Sequence, residues 1–278
     1  MKITTTITPI LFFGLVSVYG LFGVSPVSAA ESTVPSAEYY MNFSNFYDGD
    51  YVEALDGFQD ALRGSTKIGT NRWIDSICYF TMIGECHYQM GQYDLAMTNY
   101  NSALQMMLAY PNWMKQLRPT TPVMAVVRPG TPWGKSARGS TLGKYPDKIP
   151  FEAETLGLYS QSGGQRVAIS QKEQRMVNAQ EISRCIMLAM RRRIELLGPL
   201  CQYDPLSPQL LKYFESGPGL PNHWTQCWTD AMLGVALLGS GSAKEAKPVL
   251  ERAILAGNQY DHPLTANVLL ELGKLELA

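Results

Sequence analysis

Residues 49–62 read GDYVEALDGFQDAL, and residues 91–104 read GQYDLAMTNYNSAL. Aligned on their glycines, Tyr51 matches Tyr93, Ala54 matches Ala96, Leu55 matches Met97, Phe58 matches Tyr100, Ala61 matches Ala103 and Leu62 matches Leu104. The shared positions fall three and four apart, the period of a helix with one apolar stripe. A repeat constrains the fold strongly, because one unit cannot bury its apolar face alone and must stack on a neighbour. The alanines mark close helix crossings, and Phe58 and Tyr100 fill the space between them. Each leading glycine ends a preceding helix, which glycine does readily at positive φ.

That preceding helix is legible in the second copy as CYFTMIGECHYQM, carrying Phe80, Ile83, Gly84, His87 and Tyr88. Gly84 marks a second close crossing. A third copy from Gly241, GSAKEAKPVLERAI, keeps Ala246, Leu250 and Ala253 in register, with Leu233-Gly234 upstream. At the end of the chain, LLELGKLELA places Leu272-Gly273 at the Leu-Gly position of a fourth unit. Each unit is helix, tight turn, helix, and in these positions it resembles the tetratricopeptide repeat (TPR). Phe80, Ile83-Gly84, Gly91, Tyr93, Ala96, Tyr100 and Ala103 follow that family's pattern; Pro111 comes a few residues late, and the first copy has Met41-Asn42 at the Leu-Gly position. The resemblance implies an all-α fold, a TPR-like solenoid of antiparallel helix pairs. The 42-residue offset between the first two copies exceeds the family's 34. The extra residues lie in RGSTKIGTNRW, a connection that loop entropy tolerates.

Lys2 is the only charge before Glu31, an apolar run covers residues 9–24, and Val27-Ser28-Ala29 fits the small-x-small cleavage rule. Residues 1–29 therefore read as a signal peptide, the alternative being an uncleaved membrane anchor. The mature chain is expected to be exported, periplasmic or extracellular, and with the repeats this points to an exported bacterial family member. Cys78, Cys86, Cys185, Cys201 and Cys227 contain no CxxC and are odd in number, so they read as buried small hydrophobes. A net charge of −1 makes no demand for nucleic acid.

Residues 30–110 form two TPR-like helix pairs on this reading. A long Pro-rich basic insertion follows at 111–165, expected to be mostly irregular. Residues 111–150 hold seven of the 17 prolines, and seven Lys or Arg against Asp147 alone, which rules out a continuous helix. Arg118, Arg128, Lys135, Arg138 and Lys144 make a basic arm, either packed along the solenoid or contacting an anionic surface. In GTPWGKSARGS, Gly130 and Gly134 leave three residues between them where a phosphate loop needs four, so nucleotide binding is not expected. Residues 166–278 read as further helices with TPR-like repeats, and Ala278 falls inside what looks like the first helix of a unit, so truncation there is expected. Ile182, Cys185, Ile186, Ala189, Met190 and Arg193 share one stripe; Arg191 and Arg192 read as solvated, and a helix is expected from about Asn222 to Leu238.

No catalytic motif stands out: there is no Gly-x-Ser-x-Gly, no His-Glu-x-x-His and no Cys with a His partner in view. Asp56 and Asp60 read as a solvated helix face. His223 and Cys227 are four apart, yet a closed metal site needs four ligands; packing beside Trp224 and Trp228 explains them, and neither metal nor cofactor is expected. The resemblance implies partner binding in a concave groove lined by the first helices. Its positions here are Tyr39, Phe43, Phe46 and Tyr47, then Cys78, Thr81, Glu85, Tyr88 and Gln89, then Trp228, Ala231, Val235 and Leu238. Tyr39 and Phe43 replace the Lys and Asn of a carboxylate clamp, which favours an extended apolar or proline-bearing peptide, or another helix. The expectation is a non-catalytic scaffold in the cell envelope, with protein or peptide partners and the oligomeric state open. The alternative is the N-terminal recognition arm of an exported hydrolase whose catalytic domain is missing from this chain.

Overall fold

The structure is a computed structural model that describes residues 33–68, 70–119, 123–125, 141–146, 148–162, 165–220, 222–257 and 259–277. The signal peptide at 1–29 and the arm residues Arg128, Lys135 and Arg138 lie outside the described residues. The described helices are α1 (Ala37–Met41), α2 (Phe43–Asp48), α3 (Tyr51–Arg63), α4 (Ser76–Gln89), α5 (Tyr93–Ala109), α6 (Ala179–Leu197), α7 (Leu206–Glu215), α8 (Gln226–Gly239), α9 (Ala243–Arg252) and α10 (Thr265–Leu277). Short helices α1 and α2 together make the first arm of unit 1, with α3 as the second. Units 2 and 3 are α4–α5 and α8–α9, and α6–α7 forms a further pair between them. The helix expected from Asn222 starts later, at Gln226, because Asn222 takes a left-handed φ of 53°.

The turn within each repeat is the same in all three copies. Gly49, Gly91 and Gly241 have φ of 86°, 74° and 79°. Each donates its N–H three residues back, to Phe46, Tyr88 and Leu238, and the next residue donates five back: Asp50 to Asn45, Gln92 to His87 and Ser242 to Leu237. This paired pattern satisfies carbonyls that a helix end leaves open.

The small residues form notches. Ala54, Ala96, Ala103, Ala246 and Ala253 are fully buried, as are Phe58, Tyr100 and Leu250. A Cβ placed on Gly84 would lie 2.7 Å from the Tyr100 ring, and one on Gly234 would lie 2.5 Å from the Leu250 side chain. Unit 1 reverses the arrangement: Asn42 stands at the glycine position of the first arm, and Gly57 on α3 makes room for its side chain. At Gly273, the same register position on α10, a Cβ would meet nothing. The residues that lengthen the first connection are ordered rather than loose. They form a small hairpin, β2 (Lys67–Ile68) with β3 (Asn71–Arg72), pinned by Arg72 Nη1 donating to Leu62 O at 2.6 Å and Thr66 N–H donating to Asp75 Oδ2 at 2.9 Å.

The insertion differs from the expected irregular chain. Ile149–Ser162 (β6) and Gln165–Val177 (β7) pair antiparallel along their length, from Ile149 opposite Val177 to Ser162 opposite Gln165, with an irregularity between Leu156 and Leu158. Residues 166–177, expected among the helices, are therefore strand. The physical reason is local: Gly163-Gly164 is a turn signal, and the stretches on either side carry the strand-favouring residues Thr155, Tyr159, Val167 and Ile169. Pro150 is tolerated because it stands near the strand end. The base of the hairpin is anchored in the core. β1 (Thr33–Val34) runs parallel to the end of β7, Phe151 packs edge-on to Trp73 at 5.0 Å, and Val34, Ile149, Phe151 and Val177 are all buried. A second sheet places β5 (Thr141–Lys144) between β4 (Met124–Ala125) and β8 (Tyr260–Asp261), the strand that precedes α10.

Candidate functional site

The expected groove positions do not form one open groove, because α6 lies across the first two units. Tyr39 is fully buried, its hydroxyl donating to Glu181 and lying 3.5 Å from Cys185 Sγ. At the matching position of unit 2, Thr81 Oγ1 donates to Cys185 O at 3.4 Å. Asn178 starts α6 by accepting from Glu181 N–H at 3.1 Å, a cap that typically contributes about 1 kcal/mol. α6 thereby presents Glu181, Arg184, Cys185 and Arg192 to the first arms of units 1 and 2.

Its arginines are not solvated. Arg192 binds Glu85 through two hydrogen bonds, Nε to Oε1 at 2.9 Å and Nη2 to Oε2 at 3.1 Å, and its guanidinium carbon sits 3.9 Å from the Tyr88 ring centroid. Arg191 binds Glu271 at 2.7 Å and Asn267 at 2.7 Å, both on α10. Arg193 is buried between Asn101 and Asp204. Arg184 binds Glu181 at 2.6 and 2.8 Å and stands 5.7 Å from the Phe43 ring centroid. Periodicity placed Arg191 and Arg192 outside the apolar stripe correctly, but a neighbouring carboxylate on another helix then covers each. Such pairs fix helix orientation; removing one partner leaves a buried charge, which costs about 3–5 kcal/mol. Glu85 also accepts from the Tyr100 hydroxyl. Burial and this carboxylate together push the Tyr100 hydroxyl far above its ordinary range.

Glu85 and Trp228 are thus interior residues, 4% and 0% exposed. Cys78, Thr81, Ala231 and Val235 are buried with them. The open remainder of the expected set is an aromatic strip. Phe43, Phe46 and Tyr88 are half-buried, Gln89 is exposed, and Tyr47 is 76% exposed. Phe43 contacts Tyr39 and Tyr47 at 5.2 and 5.8 Å between centroids, and Phe46 contacts Tyr47 at 5.8 Å. Tyr40 and Met41 extend the strip into solvent. A cleft of about 580 Å³ opens beside Met41, Asn42 and Gly57, where the reversed notch brings the first arm against α3.

Trp228 belongs to a separate cluster. Its ring lies 5.0 Å from Trp224 and 6.0 Å from Tyr145, and Tyr145 lies 5.2 Å from Trp224. His223 stacks 4.6 Å from Trp224, and burial lowers its pKa. Cys227 Sγ donates to Trp224 O at 2.9 Å. The pair His223 and Cys227 therefore packs, and among the described residues no group of three or more His, Cys, Asp or Glu is placed to hold a metal ion. Tyr145, from the insertion, carried no signal in the sequence beyond its place between Lys144 and Pro146. Of the basic arm, Arg118 and Lys144 are exposed; Arg118 donates to the carbonyls of Lys115 and Leu117. No described helix is long and apolar enough to cross a membrane.

Residues 36–109, the first two helix pairs, match the tetratricopeptide repeat family. No curated protein and no solved structure gives a match. Repeats of this family commonly mediate contacts between proteins, and the Gly and Ala notches seen at residues 84, 96 and 103 recur at 234, 246 and 253. The likeness to the tetratricopeptide repeat family thus covers the first two helix pairs, residues 36–109 of the 278.

Proposed function

We propose that the chain is a non-catalytic scaffold that holds a protein or peptide against the aromatic strip of unit 1. One observation carries this reading: Tyr40, Met41 and Tyr47 are exposed at 40%, 75% and 76% beside the half-buried Phe43 and Phe46. Contiguous exposed apolar surface rimmed by polar groups is characteristic of interaction sites, and aromatic anchors carry most of the energy of such contacts. An extended apolar or proline-bearing peptide, or an amphipathic helix, suits a strip of rings without a lysine clamp. The envelope setting rests on Lys2, the apolar run and Val27-Ser28-Ala29. Exposed Arg118 and Lys144 give the scaffold a contact for an anionic surface, which should weaken as salt rises.

A photo-crosslinking residue at Tyr47 should capture one protein from the exported fraction, with the adduct lost in Phe43→Ala. The same probe at Leu200, exposed at 67%, should not capture it. Equal capture at both positions would contradict the reading. Tyr47→Ala should change stability by no more than about 0.5 kcal/mol, which separates lost binding from lost folding.

A further inference from the structure

We infer that the Tyr145 cluster is a second peptide-binding site, one that the chain fills with its own insertion. The site extends the scaffold reading to a surface the unit 1 strip does not touch, so each can fail alone. Residues 141–146 read Thr-Leu-Gly-Lys-Tyr-Pro and are held as an extended peptide ligand would be. Their backbone adds beside β8, with Thr141 opposite Tyr260 and Leu142 opposite Asp261, which is recognition by strand addition. Gln180 Nε2 donates to the carbonyls of Tyr145 and Pro146 at 3.4 and 3.1 Å. The Tyr145 ring lies against Trp224 and Trp228, and Trp228 occupies a groove-lining register position of unit 3. Gly143 is needed for this pose, since a Cβ there would lie 2.8 Å from the Tyr145 ring.

The resident segment fits this site incompletely. Tyr145 Oη, Trp224 Nε1 and Trp228 Nε1 are all buried without a hydrogen-bond partner. Native interiors rarely leave such donors unpaired, and here three share one ring cluster. Beside them lies a cleft of about 340 Å³ lined by Leu142, Lys144, Gln180, Asp261 and Pro263 among others. An incoming extended peptide with glycine, a basic residue, an aromatic ring and proline in that order would reproduce the resident contacts, and a ring or flank bearing an acceptor would add the missing ones. The resident holds its place through tethering, which gives it a millimolar effective concentration. A free competitor's apparent affinity is therefore scaled down to the fraction of sites the resident leaves empty.

The test uses the full chain and a labelled peptide, TLGKYPDK, read by anisotropy. Tyr145→Ala should bind it about tenfold or more tightly than the unaltered chain. Gly143→Ala should also tighten binding, since it displaces the resident ring without altering the site, and it keeps the test open if Tyr145→Ala does not fold. Tyr145→Phe should behave like the unaltered chain, and a peptide with Ala in place of its Tyr should bind to none of them. Gln180→Ala combined with Tyr145→Ala should lose several-fold in affinity. Folded Tyr145→Ala and Gly143→Ala chains that bind no better than the unaltered one would overturn the inference. So would equal binding of the Ala peptide. A dimer of the unaltered chain that Tyr145→Ala dissolves would place the segment in a second copy and overturn its assignment as an internal occupant.

Discussion

Units 1 and 2 share one register and meet α6 at the same positions, yet one stays open and the other is sealed. Where unit 2 has Glu85, unit 1 has Phe43; where unit 2 has Gly84, unit 1 has Asn42. α6 answers each with an arginine, Arg192 bonded to Glu85 and Arg184 beside the Phe43 ring. A carboxylate can be buried only with its partner, so unit 2 closes tightly. A ring tolerates water on one side, so unit 1 keeps a wet aromatic face. The difference teaches that the notch needs one small and one large residue, whichever helix carries the small one. The open face of unit 1 goes with Phe43 standing where unit 2 has Glu85.

The largest effect that could break this comparison is the loss of a notch filler. Tyr100→Ala should cost about 3–5 kcal/mol in urea unfolding, and a cost near that of a surface change would deny the ring its place. Next, Glu85→Gln leaves Arg192 with Glu195 alone and should cost about 3 kcal/mol, whereas Phe43→Ala should cost much less because its ring is half-exposed. Similar losses for the two would erase the distinction between a sealed and an open unit. Gly84→Ala and Gly57→Ala sharpen it further. The first meets a rigid ring and should destabilise by about 1–3 kcal/mol. The second meets the end of the Asn42 side chain, which can swing away at the loss of its 2.8 Å bond to Glu38 O, and the gain in helix propensity of about 1 kcal/mol offsets that loss.

The smallest expected effect is in pH. Burial lowers the His223 pKa from 6.5, so the unfolded chain binds the proton more readily. Stability should therefore rise with pH up to about 6.5 and fall as pH drops toward the folded-state value. His223→Gln should flatten that slope, and an unchanged slope would show that His223 does not set it.

The helix pairs were legible because their signals are local: a glycine at positive φ, alanines three and four residues apart, and a ring between them. Register alone, however, names positions and not neighbours. Tyr39 and Glu85 stand where a groove is expected, and α6, more than ninety residues later in the chain, covers both. Arg191 and Arg192 were legible as outside the apolar stripe, but their carboxylates belong to α10 and α4. The hairpin left one plain local mark, Gly163-Gly164, and the prolines and charges upstream point instead to irregular chain. Tyr145 had no local signal, since its role depends on Trp224 and Trp228 arriving from another unit.

The central claim is that the glycine notch and the ring opposite act as one device, and a double-mutant cycle at residues 84 and 100 tests it most directly. If they act together, Gly84→Ala destabilises the unaltered chain and becomes neutral or stabilising once Tyr100 is Ala. A cost for Gly84→Ala that stays the same in both backgrounds to within about 0.5 kcal/mol would contradict it.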